Sequence, residues 1–240
     1  MEKTVGGREV RVFDTPALLA AAAASEFLRA AREAIAGRGR FSTALSGGST
    51  PRAAYEEIAG AGADLEWPKV AFFWSDERCV PLDDEASNFR AAKDSLLTRI
   101  PIPPENVHPW ETYRPPAEAA DAYENRLGLY FGIAIPEFDW VFLGLGADGH
   151  TASLFPGTQA LTESRRAVAA NFVTKLDAWR LTLTLPALNA SRTCVFLVQG
   201  KDKADAVREI LTGKGDLPAA RVSARRTIWM LDRAAAPPRP

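Results

Sequence analysis

Asp148, Gly149 and His150 stand directly behind the apolar run "VFLGL", and His150 is one of only two histidines in the chain. An imidazole changes charge near neutral pH and can serve as a general base. On extended chain, side chains two apart share a side, but Gly149 permits a sharper turn, so the sequence leaves the Asp148 and His150 geometry open. The plain alternative is a histidine capping a helix start. A second group is Ser46, Gly47, Gly48, Ser49, Thr50 and Pro51, between a predicted strand and a predicted helix. Its glycines let backbone approach a ligand, its hydroxyls can donate, and the unpaired N–H groups of the helix behind it favour an anion such as phosphate. Its plain alternative is a tight turn capped by Ser49 or Thr50. A third group, Asp76, Glu77 and Arg78, follows the run "VAFFWS". Arg78 can clamp a phosphate or carboxylate with Asp76 or Glu77 fixing it, or the three can form an internal salt bridge.

Basic side chains complete the set. Arg180 precedes "LTLTLP", and Lys201 and Lys203 stand where "FLVQG" gives way to a helix. A lysine at a helix amino end opposes the helix dipole, and an anionic ligand sharing that end would explain Lys203. Solvated lysines, and a structural salt bridge for Arg180, are the competing readings. Together the four groups suit a small phosphorylated substrate, with His150 nearby to move a proton, and leave the reaction unnamed.

Several site types are excluded by spacing. The 46–51 stretch lacks the Gly-Lys-Ser/Thr ending of a nucleotide P-loop and the glycine spacing of a dinucleotide fingerprint. It lacks the Gly-x-Ser-x-Gly order of a hydrolase elbow as well. No metal site is expected, because His108 lies in a proline-rich link and Cys79 and Cys194 show neither zinc-ligand nor redox-pair spacing. The two cysteines make no disulfide framework, which fits a reducing compartment, and the expected location is the cytoplasm.

These groups need a scaffold. With 240 residues, 47% hydrophobic and 25% charged, the chain can bury a large core as one compact domain over residues 1–240. A formal charge of −1, from 29 basic and 30 acidic residues, gives no global reason to expect nucleic acid or an anionic membrane. The Ala-rich run from Ala17 to Ala24 is short, follows Pro16 and reads as helix rather than a membrane segment. Strand and helix signals alternate: "EVRVF", a helix from Pro16 to about Ile35, "FSTAL", the helix "PRAAYEEIA", "KVAFFWS", and the helix "NFRAAKDSLL" with Asn88 as its cap. After the link "IPIPPENVHPW" come the helix "PPAEAADAYENRLGLYF" and the apolar strand "FDWVFLGLG". The strands "AVAANFV", "RLTLTLP", "TCVFLVQ" and "RTIWML" follow, with the helix "KDKADAVREIL" between the last two. The expected fold is α/β: a doubly wound, mainly parallel sheet with helices on both faces and a few additional strands between Ala167 and Leu185. Residues 234–240, "AAAPPRP", read as a frayed tail. In such folds ligands bind beyond the carboxyl ends of the strands, where all four groups fall.

The stretches "LSGGSTPRAAYEEIA", "FFWSDERCVPLDDEASNFRAAKDSLL", "VFLGLGADGHTASLFPG" and "WRLTLTLPALNASRTCVFLVQGKDKADAV" occur in that order over nearly the full length. In this the chain resembles the 6-phosphogluconolactonases, within the wider group that contains glucosamine-6-phosphate deaminases and isomerases. The resemblance implies hydrolysis of 6-phospho-D-glucono-1,5-lactone to 6-phosphogluconate in the oxidative pentose phosphate pathway, with no metal or organic cofactor. It implies His150 as general base supported by Asp148, with the loop Ser46, Gly47, Gly48, Ser49 and Thr50 around the substrate. It also implies Asp76 and Arg78 at the site, and Arg180 and Lys203 as phosphate contacts. The oxyanion donors would be backbone N–H groups in residues 144–149 or 47–48. Deaminase relatives carry an acid within a few residues of the corresponding histidine; here that span reads Thr151, Ala152, Ser153, Leu154, Phe155, which favours the lactonase. The implied partner is a small phosphorylated sugar lactone, with neither nucleic acid nor membrane, and the chain is monomer or homodimer. The competing functions are a sugar-phosphate deaminase or isomerase, a sugar-phosphate sensor without turnover, and, least supported, a DNA-binding regulator, since no helical DNA-reading module precedes the α/β region.

Overall fold

The computed structural model describes residues 2–5 and 8–237. Thr15 opens the first helix by accepting from the Leu18 amide, and Pro16 takes the first helical position, where its missing N–H costs nothing. This helix, α1 (Pro16–Arg38), stops only at Gly39, whose φ of 75° lets its amide close on the Ile35 carbonyl. The expected end near Ile35 is therefore three residues early. Leu19, Ala23, Phe27 and Ala31, spaced by four, make its buried face. Phe27 reaches Phe41, Trp140 and Phe142 of the sheet at centroid distances of 5.2, 6.1 and 5.6 Å.

The main sheet contains β1 (Glu2–Val5), β2 (Arg8–Phe13), β3 (Phe41–Leu45), β4 (Val70–Trp74), β6 (Trp140–Leu143), β9 (Thr193–Val198) and β10 (Arg226–Asp232), in the order β1-β2-β10-β9-β6-β3-β4. All neighbours are parallel except β1 and β2. Every residue of β3, β4 and β6 is buried, because helices flank both faces. The helices are α1, α2 (Ser49–Ala61), α3 (Asn88–Ser95), α4 (Pro116–Phe131), α5 (Leu185–Ala190) and α6 (Ala204–Thr212). Trp140 and Trp229 are fully buried. The fold class is as the alternation of strand and helix implies.

A second, antiparallel sheet holds β5 (Asp76–Arg78), β8 (Ala178–Leu183) and β7 (Val168–Val173), in that order. Ser75 joins it to the main sheet: its amide and hydroxyl donate to the Leu45 carbonyl, and its own carbonyl accepts from the Leu183 amide. Asp76, Glu77 and Arg78, expected in a loop, therefore form a strand. Two further differences are local. The cap of α3 is Ser87, whose hydroxyl accepts from the Arg90 amide, rather than Asn88. "RLTLTLP" turns helical at Leu185, with Pro186 in the first turn of α5.

Of the tail expected to fray, Ala235 is buried and its amide donates to Asp232, so this part is docked on the sheet; residues 238–240 lie outside the described residues. No described helix is long and apolar enough to cross a membrane.

His108 packs in the link before α4, stacked on Phe73 at 4.5 Å. Burial, and then Arg126, lower its pKa to about 4. Between about pH 6.5 and 4 the unfolded chain binds a proton there that the folded chain refuses, so stability falls as pH drops through this window. Replacing His108 with Phe, which keeps the stack, is expected to flatten that fall. Urea midpoints at pH 7 and pH 4.5 measure it, and equal losses in variant and wild type would refute it.

Candidate active site

From β3 the chain moves to β4 on one side of it and later returns as β6 on the other, so the loops after β3 and β6 diverge. A crevice opens at such a reversal. Here it is a cleft of about 920 Å³, lined by the loops after β3, β6 and β9 and by the small antiparallel sheet. Ser46, Gly47, Gly48, Ser49, Thr50, Asp76, Arg78, His150, Arg180 and Lys203 all line it. Asp148 stands behind His150, its Oδ1 accepting from the His150 Nδ1–H at 2.5 Å and from the His150 amide at 3.2 Å.

The loop after β6 is built around that pair. Gly149 has a φ of 78°, and the amides of Gly146 and Gly149 bond to the His150 and Gly146 carbonyls. The turn left undetermined by the sequence is thus a tight one, and no helix follows for His150 to cap. A Cβ on Gly146 would lie 2.0 Å from His150 Nδ1 and 2.7 Å from Asp148 Oδ1. The pair can form only because residue 146 has no side chain. Gly146→Ala should displace the imidazole and lower kcat by about 100-fold or more with little change in melting temperature. Near-native turnover in that variant would show that the pair is unimportant.

His150 rests face to face on Phe155, with ring centroids 4.0 Å apart. Burial lowers its pKa to about 4, and Lys203 and Arg180 push the same way while Asp76 opposes them. The Asp148 hydrogen bond also favours the imidazolium. Because Nδ1 donates to Asp148, Nε2 carries the lone pair and is the nitrogen able to accept a proton from the cleft.

Alternation along β5 sorts its three charges. Asp76 and Arg78 share the cleft side, whereas Glu77 turns away to the start of α3. There it accepts from the Asn88 and Phe89 amides and the Ser87 hydroxyl. Burial raises its pKa. Neither acid holds the Arg78 side chain, which instead donates to the Ala86 carbonyl. Asp76 is itself fixed, accepting from Ser153 Oγ at 2.7 Å and Asn88 Nδ2 at 3.2 Å. Asn88 also fills the space beside Gly47, where a Cβ would fall 1.9 Å from its Oδ1.

Arg78 and Arg180 face one another directly across β5 and β8. Like charges so placed repel, and each guanidinium donates to a backbone carbonyl, Arg78 to that of Ala86 and Arg180 to that of Trp179. Burial, and then Arg78, lower the Arg180 pKa. An anion between them would remove the conflict. Lys203 precedes α6 and holds Asp202 at 2.9 Å. At the start of α2 the cap is Gly48, with no side-chain hydrogen bond, so neither Ser49 nor Thr50 plays the capping part considered for them. The first amides of that helix face the cleft unpaired by the helix itself. The buried Ser46 hydroxyl beside them has no protein partner. The arrangement can hold an anion and deliver a base to a neighbouring carbon. Among the described residues no three His, Cys, Asp or Glu side chains group as they would around a metal ion.

Phe155, Ser153, Asn88 and Lys175 also enter the site, and the sequence reading assigned them no part in it. Ser153 and Phe155 are close to His150 in sequence, and their spacing from it was the available signal. Asn88 and Lys175 arrive from other elements and gave none.

The chain matches the family model described as "Glucosamine-6-phosphate isomerases/6-phosphogluconolactonase" over residues 14–229. It is 42% identical over 211 residues to a 6-phosphogluconolactonase of Synechocystis sp., covering 85% of this chain and 86% of that one. It is 38% identical over 238 residues to one of Mycobacterium tuberculosis, covering 95% and 96%. Among solved structures, the 6-phosphogluconolactonase of Trypanosoma cruzi superposes with a TM-score of 0.87 at 29% identity, over 98% of this chain and 97% of that one. That of Thermotoga maritima gives 0.83 at 31%, over 93% and 99%. A monomeric glucosamine-6-phosphate deaminase shares the fold, with a TM-score of 0.80 at 23% identity, over 94% and 98%. The cleft at the sheet reversal, the motifs that line it and these relatives agree: the chain belongs to the glucosamine-6-phosphate isomerase/6-phosphogluconolactonase family, on its lactonase branch.

Proposed function

We propose that this cleft hydrolyses 6-phospho-D-glucono-1,5-lactone to 6-phosphogluconate with His150 as general base. The observation that carries the reading is the His150–Asp148 pair, its Nε2 open to a cleft whose other side offers Arg78, Arg180 and Lys203. The lactone carbonyl is already electrophilic, so a water activated by one base suffices. As the water oxygen bonds to C1, its proton passes to Nε2. When the bond from C1 to the ring oxygen breaks, the imidazolium returns a proton to that oxygen. Asp148 keeps the ring in the accepting tautomer and supports its transient charge.

The oxyanion on C1 needs donors. The Gly146 and Gly149 amides are engaged within their own loop, which favours the amides at the start of α2, including Gly48 and Ser49. Arg180, Arg78 and Lys203 hold the phosphate, and their distance from C1 converts binding into orientation. Thr151 donates to the Gly144 carbonyl and Ser153 to Asp76, and Phe155 supports the imidazole, so no acid stands in residues 151–155 to assist an amine chemistry.

Purified protein should accelerate opening of the lactone, with 6-phosphogluconate measured by a coupled dehydrogenase after subtraction of spontaneous hydrolysis. Glucosamine 6-phosphate should release no ammonia. Tight sugar-phosphate binding without lactone turnover would replace the enzyme with a sensor, and ammonia release would replace the lactonase with a deaminase.

A further inference from the structure

Asp148 has a second oxygen, and a residue of the small antiparallel sheet's hairpin occupies it. Lys175 lies in the turn Thr174–Leu176, at the tip of the hairpin joining β7 and β8, and its ammonium donates to Asp148 Oδ2. It also sits 4.7 Å from the centre of the Phe155 ring, the ring on which His150 is stacked. One side chain thus reaches the catalytic pair twice, through the carboxylate and through the aromatic support. The hairpin is able to hold it there. Asp177, with a φ of 44°, closes the turn onto the Thr174 carbonyl, and Phe172 and Trp179 pack across the two strands at 5.4 Å.

We propose that Lys175 is a positioning residue: by holding the outer oxygen of Asp148 it keeps the inner oxygen on His150 Nδ1 and so fixes the imidazole in the tautomer that leaves Nε2 free. Without it, Asp148 has one short side chain and a single anchoring partner, and rotation about its carboxylate would release Nδ1. The same ammonium balances the charge of Asp148. The charged groups facing His150 are Asp148 from its own loop, Asp76 from β5, Arg180 from β8, Lys203 before α6, and Lys175 from the hairpin. Removing the Lys175 charge leaves Asp148 a less compensated neighbour, which favours the imidazolium. The acid limb of kcat/KM must then move to higher pH. Since Lys175 is half exposed, its ion pair is screened, and the shift should be about half a pH unit with roughly a fivefold fall in kcat.

The test is a two-bond proton–nitrogen correlation spectrum of uniformly nitrogen-15-labelled protein, alongside the pH profile. The chain has two histidines, so His150→Ala assigns the spectrum, and His108 serves as the internal reference. Wild type should show His150 as a single Nδ1–H tautomer. Lys175→Met, which keeps an apolar stem over Phe155, should show mixed tautomers and the raised acid limb. Lys175→Arg should restore both. An unchanged His150 pattern and acid limb in Lys175→Met, or equal defects in Met and Arg variants, would overturn the proposal. The inference rests on His150 being the base, yet the two can fail separately. Turnover surviving His150→Ala sinks the base, whereas the spectrum judges the Lys175 hold without any turnover.

Discussion

His150→Ala is expected to lower kcat for lactone opening by about a thousandfold, with KM nearly unchanged and the melting curve intact. General base catalysis contributes about 10² to 10⁴ in rate. In the proposed reaction the imidazole touches the attacking water rather than the phosphate, which is why the loss should fall on kcat. The pH dependence sharpens the test. Burial, assisted by Lys203 and Arg180, holds His150 down to about 4. The base is therefore neutral from about pH 5 upward, and kcat/KM should be flat above that point and fall as pH drops through about 4. A substrate phosphate bound as proposed would neutralise Lys203 and Arg180, two of the groups that keep the imidazole low. The acid limb of kcat, which reports the complex, should accordingly lie at higher pH than that of kcat/KM. A variant with near-native turnover, or two limbs in the opposite order, would reject His150 as the base.

Arg180→Gln should raise KM for the phosphorylated lactone by roughly 10- to 100-fold, the range expected when a hydrogen bond to a charged group is lost. Its effect on kcat should be smaller. The same substitution should leave the ligand-free protein as stable as wild type or more so, because it removes a guanidinium facing Arg78 across the strand pair. This combination separates a binding arginine from a structural one. A structural arginine would destabilise the protein on removal and leave KM alone. Steady-state kinetics and a thermal melt without ligand decide between them. Lys203→Met is expected to act in the same direction but less, since Asp202 already pairs with Lys203.

Much of the site could be read from the chain because its parts fall on strand-to-helix junctions. The alternation of apolar runs and helical patterns places residues 46–50, 148–150 and 201–203 at one edge of a parallel sheet before any coordinate is known. The misread segments have a common cause. The strand Asp76–Arg78 is three residues long, too short for a period of two to register, and it exists only because β8 pairs with it. Asn88 seemed a cap by residue type, yet Ser87 takes that part. Asn88 is instead drawn to Asp76 and Gly47 by packing between α3 and the loop after β3.

The sequence by itself determined the parallel core, the edge of the sheet at which the cleft opens, and the presence of a histidine, a glycine loop and the three basic residues Arg78, Arg180 and Lys203 there, while Lys201 stays outside the cleft lining. These follow from local rules: periodicity sets the strands, glycine sets the turns, and helix starts favour anions. The tertiary structure decided which ring nitrogen of His150 is open, that Glu77 leaves the cleft while Asp76 and Arg78 stay, and that Lys175 reaches Asp148 from the β7–β8 hairpin. Each depends on a partner far away in the chain, and a side chain's direction and protonation are set by the groups that surround it in space.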